Sequence, residues 1–101
     1  MTSMAKGEDG RDNAIAKRLR LLRKAQGDDS SSVWARRMDM TPQQYSNYES
    51  GYPLPRDAAI TLATRVPGLT TDWLFMGREE GLSVELCRRL RQAALADPDN
   101  S

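Results

Sequence analysis

The chain has 101 residues, 39% of them hydrophobic and 29% charged, with seven glycines, five prolines and a formal net charge of +1. That length holds one domain with a small core, and the composition is that of a globular chain, not a disordered or fibrous one. With one cysteine, Cys87, and no histidine, an internal disulfide and a Cys/His zinc site are both excluded.

Residues 1–10 show no apolar period and are read as a flexible arm. They also lack the apolar run of a secretory signal, and no stretch approaches the ~20 apolar residues of a membrane span. A cytoplasmic protein without membrane contact is therefore expected. Ile15, Leu19 and Leu22 recur at i, i+4 and i+7, which predicts a first helix over 11–26 with Gly27 just past its end. Arg11, Lys17, Arg18, Arg20, Arg23 and Lys24 gather in this stretch, and its basic side chains are expected to be solvated.

Gly27-Asp28-Asp29 and the serines after it form a turn cluster, in which Ser30 or Ser31 can cap a second helix. Val33, Trp34 and Met38 mark its expected buried face. Thr41-Pro42 then predicts a third helix, because Thr caps and Pro at the first helical position loses no hydrogen bond. It ends before Gly51. The connector Tyr52-Pro53-Leu54-Pro55 cannot be helical, since each proline disfavours the α region for the residue before it.

A fourth helix over 56–66 follows, with Ala59, Ile60, Leu62, Ala63 and Val66 at helical spacing and Pro67-Gly68 as its stop. Thr70 or Thr71 can cap a short fifth helix over 72–76, packed through Trp73 and Leu74 and closed by Gly77. Ser83, with Leu82 before it and Cys87 after it, has the spacing of a capped and stapled start, and Leu86, Leu90 and Ala93/Ala94 make a stripe through a sixth helix over 83–95. Residues 97–101 are read as a disordered tail. No strand-like alternation is present, so the fold class is all-α.

Helices two and three make a compact capped pair joined by a short turn, the arrangement of a helix-turn-helix. Its residues are Ser30, Trp34-Ala35, Met38, the helix Thr41–Tyr48 and Glu49-Ser50-Gly51, followed downstream by Thr71-Asp72-Trp73-Leu74-Phe75-Met76-Gly77. In order and spacing they resemble the Cro/repressor family of bacterial and phage regulators, the xenobiotic-response-element type, from about Ile15 to Gly77. The resemblance implies a compact five-helix lambda-repressor-like DNA-binding domain over 11–77. Residues 78–96 then add a sixth helix that either caps the core or forms a dimer contact. Trp34-Ala35 stands where the family has Leu-Ala, and the chain departs from the pattern at Asp39, where the family has a small residue in the turn, in a loop between helices one and two about one residue longer, and at Asp28, where an apolar residue is usual.

The same resemblance implies a sequence-specific transcriptional regulator of the repressor kind, binding double-stranded DNA at a palindromic operator as a homodimer. It pairs Arg23 with Glu49 in a structural salt bridge. With helix three starting at Pro42, Tyr45, Tyr48 and Glu49 face inward, and Gln43, Gln44, Ser46, Asn47 and Ser50 face out. Gln and Asn can make paired hydrogen bonds to adenine in the major groove, so Gln43 and Asn47 are the first candidate base readers, with Gln44 and Ser46 next. By family position Ser31, Thr41, Ser50 and Arg56 are candidate phosphate contacts, with Arg36 and Arg37 as further ones. Trp34 and Trp73 are expected in the core.

Two plainer readings stand beside this one. An exposed Gln/Asn face is often only solvated. A helix-turn-helix chain of near-neutral charge could also be an antiactivator or antitoxin-like module whose partner is another protein, since DNA affinity rests on phosphate neutralisation. Nucleophile–base pairs, metal clusters and glycine-rich phosphate loops are not apparent, so neither an enzyme nor a cofactor is expected.

Overall fold

The structure is a computed structural model that describes residues 10–28 and 30–96. The tail expected over 97–101 and residues 1–9 of the expected arm lie outside it. The described residues form six helices and no strand: α1 (Gly10–Ala25), α2 (Ser31–Arg37), α3 (Pro42–Glu49), α4 (Arg56–Arg65), α5 (Thr71–Met76) and α6 (Val84–Ala96). Gly10, assigned to the arm on sequence, is the first residue of α1.

The helix starts follow cap chemistry. The Ser30 hydroxyl accepts from the Val33 N–H at 3.3 Å, Thr70 from Trp73 at 3.1 Å and Ser83 from Leu86 at 3.1 Å. Each satisfies a backbone donor that has no partner inside its helix. At α3 the cap is reciprocal: Thr41 Oγ1 accepts from the Gln44 N–H, and Gln44 Oε1 accepts from the Thr41 N–H.

Three helix ends share one closure. After α1, α2 and α3 the chain turns through a left-handed residue, Gly27, Asp39 and Gly51 respectively, and the next N–H bonds back to Arg23, Ala35 and Asn47. Asp39 is the one non-glycine among them, at φ 62°. A side chain in that region is strained by about 1 kcal/mol, somewhat less for Asp. Asp39→Gly is therefore expected to raise stability by about 0.5 kcal/mol, the gain being reduced by glycine's freer unfolded chain. Urea unfolding checks it, and a loss of stability would contradict this reading of the turn.

α1 is the central element. α3, α5 and α6 pack against it, α2 packs on α3, and α4 on α5. One apolar cluster runs through all six helices, with Leu19, Leu22, Trp34, Tyr45, Leu62, Leu74 and Leu86 fully or almost fully buried. Leu86 and Leu90 place α6 over α1, so it covers the core formed by the five preceding helices. Its start is tied to the α4–α5 connection, where the Gly68 carbonyl accepts from the Ser83 N–H at 3.1 Å. Gly68 sits at φ 85°, and a Cβ there would lie 2.2 Å from Ser83 Oγ, so the close approach requires glycine.

Two expected core positions are instead about half exposed: Val33 and Ile60. The reason is the same in both helices. With about 100° per residue, the buried sets Trp34/Ala35/Met38 and Ala58/Ala59/Leu62/Val66 each centre between the first two members, and the residue at Val33 or Ile60 points to the other side.

Candidate nucleic-acid interface

α3 presents two opposite faces. Tyr45 is fully buried, and its hydroxyl donates to the Leu19 carbonyl at 3.3 Å, anchoring the helix to α1. Burial pushes the Tyr45 phenol above its ordinary pKa, with the nearby Glu49 carboxylate adding to the effect. Glu49, on the same side, receives a fork from Arg23: Nε donates at 2.8 Å and Nη2 at 3.2 Å. Hydrogen bonding to Glu49 raises the Arg23 pKa against an opposing desolvation. Both side chains are only 10% exposed.

Opposite this anchored side lie Gln43, Ser46, Asn47 and Ser50, which fall within about a 100° arc of the helix. Gln43, Ser46 and Ser50 are exposed and Asn47 is half-buried. Gln43 Nε2 donates to Asn47 Oδ1 at 3.0 Å, joining the two first candidate readers. Gln44 is bonded differently. Its Oε1 closes the helix cap and its Nε2 donates to Tyr48 Oη at 3.3 Å, so both ends of the amide hold α3 together. The residue is exposed and sits on the flank of the stripe, at the cap. Tyr48 is half-buried at the rim of the core. Beside it, Asp39 and Asp57 line a shallow pocket of about 190 Å³ between α3 and α4, and Arg65 lies 3.8 Å from the Asp39 carboxylate.

The candidate phosphate contacts sit at helix ends. Ser31 opens α2, Thr41 caps α3, Ser50 follows the last residue of α3 and Arg56 opens α4. Arg56 and Arg36 are exposed and have no hydrogen-bond or ion-pair partner among the described residues. Arg37 is otherwise engaged: it pairs with the Asp28 carboxylate and lies 5.2 Å from the centre of the Trp34 ring. Arg65 also reaches the end of α2, donating to the Arg37 carbonyl at 3.4 Å.

Lys17 and Lys24 of α1 are exposed as expected, whereas Arg18 and Arg20 are not simply solvated. Arg18 donates to the Leu74 carbonyl at 2.9 Å, and burial lowers its pKa. Arg20 donates to the Glu49 carbonyl at 2.6 Å. Each cation closes the C-terminal end of another helix, α5 and α3, where carbonyls lack partners and the helix dipole is negative. Arg23 adds a bond to the Asp28 carbonyl at 3.1 Å. Asp28, which stands where the resemblance leads one to expect an apolar residue, thus ties α1 to α2 through both its carbonyl and its carboxylate. These braces leave no periodic trace in the sequence. Only the Arg23–Glu49 spacing within the resemblance pointed to one of them.

Groups that could hold a metal ion are absent among the described residues, and no helix there is long and apolar enough to cross a membrane. No protein-family model, curated protein or solved structure matches this chain.

Proposed function

We propose that the chain is a sequence-specific DNA-binding regulator of lambda-repressor-like fold, which lays α3 in the major groove and acts as a homodimer. The observation that carries this reading is the stripe Gln43, Ser46, Asn47 and Ser50, set opposite the buried side of a short helix that is capped at one end and braced by Arg20 and Arg23 at the other. A helix built to be read rather than buried needs that rigidity, because base discrimination depends on placing polar groups against base edges. Ser31, Thr41, Ser50 and Arg56 then fix the register through phosphates, which carry no sequence information.

Asn47→Ala is expected to weaken binding to a selected operator by about 1–3 kcal/mol and to leave binding to random duplex nearly unchanged. Arg56→Ala is expected to weaken both and to lower the slope of log affinity against log salt by about 1. Fluorescence anisotropy on labelled duplexes over a salt series reads both effects. Equal losses on specific and random DNA for Asn47→Ala would remove it from the reading role.

A second reading has one observation in its favour. Arg18, Arg20 and Arg23 are spent on internal braces, so the field available for phosphates is weaker than the basic sequence of α1 suggests. A protein-binding antiactivator or antitoxin-like module is the alternative it supports. Binding that stays undetectable on all duplex DNA at about 50 mM salt selects it, because phosphate contacts are strongest there.

The dimer needs a surface, and α6 offers one besides the face it turns to α1. Val84 and Leu95, at its two ends, are 86% and 88% exposed, and a groove runs between them whose apolar members Leu82, Val84, Cys87 and Leu95 are flanked by charged residues including Glu79, Arg88 and Arg91. Operators with two-fold symmetry call for a second copy related by the same axis. An antiparallel pairing sets the Val84 end of one helix against the Leu95 end of the other. The arginines along α6 are ion-paired within each chain, Arg88 and Arg89 sharing Glu85 and Arg91 bound to Glu79 at 2.9 Å. Val84→Glu with Leu95→Glu is expected to give a folded monomer by light scattering, with unchanged circular dichroism. A dimer that survives both changes places the contact elsewhere.

A further inference from the structure

We propose that Arg65 is a positioning residue of the DNA-reading surface: it clips the end of α4 to the turn between α2 and α3, and Asp39 stands in that turn to receive it. The inference rests on the DNA-reading assignment above and deepens it by adding what fixes α4 against the reading helix. The starting observation lies in the backbone. Asp39 is the one non-glycine with positive φ among the described residues, at 62°, in a region where a side chain is strained and glycine is not. Strain of this kind persists where the side chain serves a purpose that glycine cannot.

The purpose is visible in what approaches it. Arg65 Nη2 lies 3.8 Å from the Asp39 carboxylate, and Arg65 Nη1 donates to the Arg37 carbonyl at 3.4 Å. Arg65 is the last residue of α4 and Arg37 the last of α2. One guanidinium therefore spans a helix-end carbonyl and the carboxylate two residues further on, a two-point grip that needs a planar fork. The Asp39 side chain is 78% exposed and that of Arg65 47%, and a pair so open to water contributes little to stability. What it does instead is set direction.

α4 has that direction to gain. Its main helix contact is α5. Toward α3 it leaves the shallow cleft bounded by Gln44 and Tyr48 on one side and by Asp57, Ala58 and Thr61 on the other. Asp57, Thr61 and Arg65 follow one another at i, i+4 and i+8, so Arg65 continues the face of α4 that borders this cleft. Arg56, the candidate phosphate contact, opens the same helix at its other end, about 14 Å along the axis. Ala59 and Leu62 between them are fully buried and act as the pivot. A tilt of α4 about that pivot moves Arg56 relative to α3, so the phosphate and base contacts are made together at one tilt. The grip at the Arg65 end fixes it.

Fluorescence anisotropy with the full chain, on a selected operator and on a random duplex over a salt series, tests this. Arg65→Ala is expected to weaken operator binding about two- to fivefold, with random-duplex binding, the salt slope and the melting temperature nearly unchanged. Asp39→Asn, whose side chain tolerates the left-handed region but carries no charge, is expected to lose a similar factor, and the double variant no more than either single one. Arg65→Lys keeps the charge without the fork and is expected to recover only part of the loss. Asp39→Gly is expected to be the more stable protein and the weaker operator binder at once, a combination that a merely structural role does not produce. A loss on operator and random duplex alike, with a salt slope lower by about 1, makes Arg65 a phosphate contact and overturns the positioning role. Rescue of Arg65→Ala by Asp39→Asn overturns it too, because the effect then reduces to the bare charge of Asp39. So does an operator affinity that stays unchanged in either single variant, which leaves DNA reading itself intact. Failure of the unmodified chain to bind any duplex at low salt overturns the DNA-reading assignment and the positioning role with it.

Discussion

Replacing either partner of the Arg23–Glu49 pair with methionine is expected to cost about 3–5 kcal/mol, while replacing both costs much less. The asymmetry follows from burial. With both side chains 10% exposed and joined through a two-toothed fork, each charge has given up most of its water and depends on the other. Removing Arg23 leaves the Glu49 carboxylate beside the buried Tyr45 without its paired charge, and it also frees the Asp28 carbonyl that Arg23 holds. Removing Glu49 leaves a guanidinium facing the end of α3. In the double variant both desolvation costs disappear, and the methionines fill part of the volume. Against a total stability of about 5–15 kcal/mol for a domain of this size, the single changes bring the fold close to its limit. Urea unfolding followed by circular dichroism measures all three variants. Single losses near 1 kcal/mol would mean that the pair behaves as an exposed one.

The pair also connects stability to the proposed reading. Arg20 and Arg23 approach the same end of α3 from α1, one at the Glu49 carbonyl and one at its carboxylate. They set the tilt of the helix that carries the stripe. A variant that unfolds only partly is therefore expected to lose operator affinity before it loses its overall helix content.

Local chemistry made much of this fold legible in advance. Thr41 and Ser83 stand where a hydroxyl can meet a free backbone donor, and neighbouring residues narrow the caps of α2 and α5 to Ser30 or Ser31 and Thr70 or Thr71, of which the fold uses Ser30 and Thr70. The inward set of α3 follows from its period once Pro42 is placed. Errors arose where the answer depended on elements distant in sequence. Val33 and Ile60 are apolar and so read as inward, yet the direction of each face is set by the helix it packs on, α3 for α2 and α5 for α4. The arginines of α1 show the same limit. Nothing near Arg18 or Arg20 in sequence announces the carbonyls of Leu74 and Glu49, which lie 56 and 29 residues away. In the candidate site, the stripe was readable from periodicity and the Gln43–Asn47 bond lies within the reach of an i, i+4 pair.

The largest single loss from the apolar core is expected at Trp34, with Trp34→Ala costing about 4 kcal/mol. Trp34 is fully buried in α2 where that helix packs on α3, and it is the largest of the fully buried side chains. Its removal leaves a cavity bounded by two helices that are held at their ends and so cannot close over it. The indole carries a cost of its own, however: its Nε1 is buried and faces the Tyr45 hydroxyl without a fully formed hydrogen bond. A donor left wholly unmet costs about 1–3 kcal/mol, which is the upper bound here. Trp34→Leu, which restores the residue expected from the resemblance, gives up area and the contact with Arg37, a contact worth about 0.5–1 kcal/mol near the surface. It also removes the poorly met donor. The two effects oppose each other, so leucine is expected to cost less than half as much as alanine, and phenylalanine, which keeps an aromatic face under Arg37, less again. An ordering by side-chain volume alone, with no offset for the two replacements that lack the N–H, would show that the indole donor meets a partner such as an internal water.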